Sequence, residues 1–183
     1  MNDLPHERPE YNVYADFPTR RYGELINEFA RNPKIKTALT TARVIADFGS
    51  RLGNTAIALA NACPHATEIH TVDYDQPLNA RAATQLSART SLTQHRQTIT
   101  EFLEERMREG LPIDIVTIAA VPDHMLNQHN GYSNLGQIIT PGGIVFEFTD
   151  TNLNPEAMES LGFSLAAGER EDNRGLAYRA WQK

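Results

Sequence analysis

Residues 44–55 read Val44-Ile45-Ala46-Asp47-Phe48-Gly49-Ser50-Arg51-Leu52-Gly53-Asn54-Thr55, and after an alanine-rich run the chain continues Ile69-His70-Thr71-Val72-Asp73-Tyr74-Asp75. The first segment predicts a short buried strand at Val44–Asp47, a glycine turn, and a helix over 54–62. The second predicts another strand, Glu68–Val72, with an acidic end. In that order the pieces form a β-α-β unit whose glycine turn brings backbone N–H groups to a ligand at a helix N-terminus. An acidic residue after the second strand can accept hydrogen bonds from ribose hydroxyls. Gly53 and Asp73 are 20 residues apart, the separation expected of a nucleoside-binding unit.

Outward from this unit the chain alternates. Residues 1–18 lack periodicity and read as a loose arm. Tyr22, Leu25, Ile26 and Phe29 then follow helical spacing, which predicts a leading amphipathic helix over 19–32 that Pro33 ends, with Arg20 and Arg21 on its solvent side. Pro77 is placed to open a helix running through Leu86 towards Thr90. A third strand is predicted at Gln97–Thr100, and a helix over 101–109 that Gly110 stops. Ile113–Ala120 and Gly142–Thr149 are near-continuous apolar runs of the kind that form buried parallel strands. Asn154-Pro155-Glu156 supplies a cap and a first-turn proline for a short helix. Phe163–Ala167 and Leu176–Trp181, joined by the charged turn Glu169–Arg174, suit an antiparallel hairpin at a sheet edge, with Trp181 as an edge-strand packing residue. The whole predicts one α/β domain over residues 1–183, a three-layer sandwich.

Bulk properties narrow the function. The 183 residues suffice for one full core, and 40% hydrophobic with 22% charged residues describes an ordinary soluble protein. A net charge of −6 with no Lys/Arg stripe argues against nucleic acid as the main partner. Cys63 is the single cysteine, so no intrachain disulfide forms. The sequence holds no apolar run of the roughly 20 residues that span a membrane, and its first residues lack an export core. The expectation is a cytoplasmic protein without a membrane partner.

Together these residues resemble class I S-adenosylmethionine-dependent methyltransferases. The run Gly49-Ser50-Arg51-Leu52-Gly53-Asn54-Thr55-Ala56-Ile57-Ala58-Leu59-Ala60 is similar to that of the small O-methyltransferases of the macrocin and catechol groups. Leu135-Gly136-Gln137-Ile138-Ile139-Thr140-Pro141-Gly142-Gly143 resembles the lead into their fifth strand. The resemblance covers about residues 40–181 and implies a Rossmann-like, mostly parallel seven-stranded sheet with a C-terminal antiparallel hairpin. It implies S-adenosyl-L-methionine as cofactor and methyl transfer to a small-molecule acceptor, at oxygen.

By the same resemblance Asp47 holds the methionine amino group, directly or through water. Gly49 and Gly53 let the main chain pass under the cofactor, and Ser50 or Arg51 donates to its carboxylate. Asp73 takes the ribose hydroxyls and Tyr74 lies beside the adenine. Thr100-Glu101-Phe102 edges the adenine with Glu101 as its acidic residue, and Ala119 and Ala120 face the donor sulfur.

Where metal-dependent relatives carry an Asp at the end of the fourth strand, this chain has Ala119. A divalent ion is therefore not expected, although Asp123, Asp150 and Asn152 supply oxygen ligands in the neighbouring loops. The alternative reading of Asp150 and Asn152 is a turn before the Asn154 cap. Asp123 and His124 are the acid–base candidates, against the alternative of a solvated loop; His129 and Asn130 share that loop. Tyr11, Tyr14, Phe17 and Tyr22 form either an aromatic lid or ordinary helix packing. A non-catalytic cofactor-binding or partner-binding module is the competing function, since fold alone does not establish activity. A nicotinamide oxidoreductase ranks lower, because glycines at 49 and 53 alone miss the Gly-x-Gly-x-x-Gly pattern. The terminal hairpin offers an edge on which a second copy could pair as a homodimer.

Overall fold

The computed structural model describes residues 19–50, 52–75, 77–119, 121, 126, 130–149, 153–171 and 177–183. Two helices lead: α1 (Thr19–Phe29) buries Tyr22, Leu25, Ile26 and Phe29, and α2 (Pro33–Thr41) follows at once, capped by the Asn32 side chain. Pro33 thus ends one helix and opens the next, since its missing N–H costs nothing in a first turn. The sequence reading took only the first of these two roles.

The central unit follows as β1 (Val44–Phe48), α3 (Asn54–Ala62) and β2 (Glu68–Val72). Then come α4 (Ala80–Ser87), β3 (Ser91–His95), α5 (Ile99–Glu109) and β4 (Ile113–Ile118). Helix α6 (Gly131–Ile138), strand β5 (Ile139–Thr149), helix α7 (Pro155–Ser160) and strands β6 (Ser164–Glu171) and β7 (Ala177–Gln182) complete the chain. The seven strands form one sheet in the order β3-β2-β1-β4-β5-β7-β6. The first five run parallel, and β7 pairs antiparallel with both β5 and β6.

Alternation along the strands divides the core. Ile45, Ile69, Ile115 and Phe146 face α1, α3 and α4, whereas Ala46, Phe48, Val72, Val116 and Val145 face α5, α6 and α7. This is the expected three-layer sandwich. No described helix is long and apolar enough to cross a membrane.

Four expectations need correction. The third strand lies at Ser91–His95, not 97–100, because Thr98 is spent as the N-cap of α5. Helix α4 starts at Ala80 behind the Asn79 cap, so Pro77 precedes it. Strand β5 begins at Ile139, ahead of Pro141-Gly142-Gly143, with a register irregularity between Ile113 and Ile115 of its partner. Trp181 is not on an edge: β7 is interior, Trp181 is 2% exposed, and its indole N–H donates to the buried Glu147 Oε2 at 3.2 Å. Helix α6 had no counterpart in the sequence reading.

Asp114 ties the base of the sheet together. Its Oδ2 accepts the backbone N–H of Arg43 at 2.7 Å and of Val44 at 3.0 Å, and its Oδ1 accepts the Thr140 hydroxyl at 3.1 Å. Asp114→Ala is expected to cost about 1–3 kcal/mol by leaving these donors without their acceptor, with Asp114→Asn losing less. Urea unfolding of both variants measures it, and equal stability of all three proteins would contradict it.

Candidate active site

The C-terminal ends of β1, β2 and β4 meet at one edge of the sheet, where Asp47 stands in register with Thr71 and Thr117. These three polar side chains form a row across an otherwise apolar face, and all are buried. Gly49 leaves β1 with φ +78° and donates its N–H to Val72 O at 2.9 Å. Gly53 repeats that φ, donates to Ser50 O at 2.5 Å, and stands as the N-cap of α3.

A glycine cap has no side chain to give the helix. Asp47 supplies one from below: its carboxylate accepts the Ala56 backbone N–H and the Thr55 hydroxyl, the latter at 2.8 Å on Oδ2. The Thr117 hydroxyl donates to the other oxygen, Oδ1. A carboxylate at a helix N-terminus also meets the positive end of the helix dipole. Thr55 and Thr117 were missed by the sequence reading. The available signal was a lone hydroxyl in the apolar strand Ile113–Ile118 and a small polar residue directly after the glycine turn.

Both glycines are required by packing. A Cβ on Gly49 would lie 2.3 Å from Ala119 O and 3.0 Å from Val121 Cγ2. One on Gly53 would lie 2.6 Å from Ala82 Cβ and 2.8 Å from Leu78 Cδ1. The turn is thus wedged between the end of β4 and helix α4, a reason for glycine separate from passage under a cofactor. Ala119 sits against the turn and donates its N–H to Phe48 O at 3.1 Å. Ser50 is buried within the turn.

Asp73 follows β2, where its N–H donates to His95 O at 3.1 Å and its Oδ1 accepts the Asp75 N–H at 3.0 Å. Tyr74 beside it is 65% exposed, an open aromatic face at the rim. Glu101 and Phe102 are placed otherwise than expected. Both lie in the first turn of α5, where Glu101 closes a capping box with Thr98, its Oε2 accepting the Thr98 N–H and hydroxyl at 2.8 Å each. Those bonds hold its carboxyl below the ordinary Glu range. Phe102 is fully buried, edge-on to Phe48 and to His95 at centroid distances of 5.7 and 4.7 Å. It is a core residue and not an edge for adenine; the residues that leave β3 are Arg96, Gln97 and Thr98. Arg51, Ala120, Asp123, His124, His129, Asp150, Asn152 and the arm with Tyr11, Tyr14 and Phe17 lie outside the described residues. Tyr22 packs in the core, tilted against Phe148 at 5.4 Å. Among the described residues no group of three or more His, Cys, Asp or Glu side chains is placed to hold a metal ion.

Burial pushes the Asp47 carboxyl up to about 7; the Thr117, Thr55 and Ala56 hydrogen bonds oppose this and the charge of Asp73 adds to it. The same site therefore holds a carboxyl that keeps its proton well above the ordinary carboxylate range. Tyr22 is pushed up as well, first by burial and then by the charges of Asp47 and Tyr178. On the opposite face His70 is pushed down to about 4, by burial first and then by Arg106 and His95. Its Nδ1 lies 3.0 Å from His95 Nε2.

A family described as methyltransferase domain matches residues 46–145, more than half of the chain. No curated protein matches the sequence. Among solved structures, an O-methyltransferase family protein from Burkholderia thailandensis is similar at 14% identity and TM-score 0.60, covering 97% of this chain. This chain spans 60% of that protein's length. The O-methyltransferase TomG from Streptomyces achromogenes, in complex with SAM, is 17% identical with TM-score 0.57, covering 100% of this chain and 98% of its own. An O-methyltransferase from Bacillus cereus, in complex with SAH, is 14% identical with TM-score 0.58, covering 98% and 93%. At these identities the likeness is one of fold.

Two outcomes test the site. Gly49→Ala forces a left-handed backbone and overlaps a carbonyl, and is expected to cost about 2–5 kcal/mol; a variant as stable as the parent in urea would contradict the packing. The second concerns pH. Asp47 binds its proton more tightly folded than unfolded, so its contribution to stability falls as pH rises from about 4 to about 7. His70 does the reverse, adding stability as pH rises from about 4 to its ordinary 6.5. The slopes oppose one another. Asp47→Asn removes the first, so its urea midpoint rises between pH 4.5 and 6.5 more steeply than that of the parent. Superimposable curves would show that Asp47 does not titrate there.

Proposed function

The chain belongs to the methyltransferase-domain family, and from that premise we propose that it methylates an oxygen of a small molecule using S-adenosyl-L-methionine. One observation carries the reading: a glycine turn and the first turn of α3 are organised over a buried carboxylate, Asp47, with a second acid, Asp73, at the end of the adjacent strand. The site fits such a cofactor chemically. Backbone amides at a helix N-terminus suit its carboxylate, Asp73 suits its ribose hydroxyls, and the negative charge beneath the turn favours its cationic amino-acid end.

When bound, the cofactor supplies a methyl carbon on a cationic sulfur, which an acceptor oxygen takes as the carbon–sulfur bond breaks and the bonding pair returns to sulfur. The chain's task is alignment and exclusion of water, contributions that can reach roughly 7–11 kcal/mol. Gly49 and Gly53 fix the turn, Asp73 and Tyr74 form the nucleoside side, and Ala119 keeps the end of β4 small next to the turn. A hydroxyl acceptor must also lose a proton, for which Asp123 or His124 is our nominated base. No divalent ion enters this reading, because the last residue before the β4 loop is Ala119 where a carboxylate would serve one. We extend the reading to a small molecule, not a nucleic acid, as acceptor, and to a cytoplasmic setting. A dimer through the β6 edge remains part of the proposal.

Calorimetric titration with S-adenosyl-L-methionine and with S-adenosylhomocysteine tests the premise, and no binding at millimolar concentration sinks it. Asp73→Ala is expected to weaken binding by about 10- to 100-fold, as loss of charged hydrogen bonds contributes roughly 1.5–3 kcal/mol. Because a bound cation draws the Asp47 proton off, binding at pH 7 should release protons, read from the dependence of the heat on buffer ionisation. Binding without turnover on any phenol, acid or alcohol would favour the non-catalytic alternative. Turnover that EDTA abolishes and Mg²⁺ restores would overturn the metal-free reading.

A further inference from the structure

A cavity of about 490 Å³ lies outside the glycine turn, between the start of α1, the first turns of α3 and α4, and Leu52 of the turn itself. That volume is within the usual range for small-molecule pockets, roughly 300–1,000 Å³. Its described lining contains two guanidinium groups, Arg20 and Arg81, and no carboxylate, although the chain as a whole carries a net charge of −6. Arg20 is engaged with Glu24 at 2.9 Å. The Arg81 guanidinium has no ion pair or hydrogen bond among the described residues; only its backbone N–H is used, by Asn79 Oδ1 at 2.9 Å.

Arg81 also breaks a local rule. It sits in the first turn of α4, where no acidic residue is present and the helix dipole disfavours a cation. Residues that oppose local preference without a structural return are the ones to read as functional. The same cavity is lined by Leu52, 43% exposed, and Ile57, with Asn54 and Gln85 adding amide groups. A guanidinium over an apolar wall suits a carboxylate on an apolar body, since the fork geometry pairs two N–H donors with two oxygens.

We propose that this cavity receives the methyl acceptor and that the acceptor is a carboxylic acid, its carboxylate held by Arg81 and its body lying on Leu52 and Ile57. The inference rests on the methyl-transfer reading and names the substrate class for it. Leu52 belongs to the turn, and the α4 wall touches Gly53 through Ala82, so the pocket and the cofactor turn share a boundary.

The test is binding of matched pairs to the full chain saturated with S-adenosylhomocysteine: aromatic and aliphatic hydroxy acids against their uncharged amides, 4-hydroxybenzoate and 4-hydroxybenzamide among them. The acid of at least one pair is expected to bind about tenfold or more tighter than its amide, the scale of a charge-assisted hydrogen bond. Arg81→Gln should erase that preference, Arg81→Lys should keep part of it, and affinity for S-adenosylhomocysteine should stay within about twofold in both. Arg81 is exposed, so its variants are expected to fold, and thermal melts check this. Absence of any acid preference, or the same preference in Arg81→Gln, overturns the proposal. So does a tenfold loss of S-adenosylhomocysteine affinity in Arg81→Gln, which would give the guanidinium to the cofactor's own carboxylate. A parent protein that fails to bind S-adenosylhomocysteine sinks the methyl-transfer reading itself; one that binds it without acid preference sinks only this inference.

Discussion

A carboxylate with no exposure to water must be satisfied by protein groups, and the edge of this sheet is arranged around that demand. Asp47 lies at the end of a central strand, in a face that beyond Thr71 and Thr117 is formed by Ile45, Ile69, Ile115 and Phe146. A buried charge without partners costs several kcal/mol, and a partnered one much less. Here the partners come from two elements: Thr117 from β4, and Thr55 with the Ala56 amide from α3. Satisfying Asp47 therefore fixes where α3 starts relative to β1 and β4. The glycine turn is the short connection that this placement leaves, and its left-handed backbone at both ends follows from it.

The opposing pH behaviours of Asp47 and His70 belong to the two faces of the same sheet. Each group is shifted chiefly by burial, and burial favours the neutral form of both. For an acid that means a raised value and for a base a lowered one. Near neutrality the site face thus holds a carboxyl that a ligand's charge can ionise. The α5 face holds a histidine that stays uncharged, coupled to His95.

The sheet and its central β-α-β unit were legible because they repeat local signals: apolar runs at Val44–Asp47 and Ile113–Ile118, glycines at fixed offsets, an acid after the second strand. The errors came where one residue serves two neighbours. Pro33 closes α1 and opens α2, and a reading that stops at the first role loses a helix. Thr98 looked like strand and is a cap, which moved β3 back to Ser91–His95 and turned Phe102 from a candidate ligand contact into core. Edge strand β3, with Leu92 its one aliphatic residue, has too little apolar pattern to announce itself. Thr55 and Thr117 were invisible for another reason: their role exists only once strands distant in sequence are set side by side. Arg81 was equally hidden, because its lack of a partner among the described residues is a property of space and not of sequence.

Strand β7 follows β6 in the chain yet lies between β6 and β5 in the sheet. The first of the two returning strands consequently has no strand to pair with until the second has arrived. Before that, the side of β5 that will carry Arg179 and Trp181 is open, and Glu147, completely enclosed in the finished protein, faces solvent. During synthesis the parallel half can assemble early, from local β-α-β pieces, while the other half waits on residues 177–182. The order of strands makes closure a late, all-at-once event, and an interrupted chain would emerge with an unpaired, apolar border suited to aggregation.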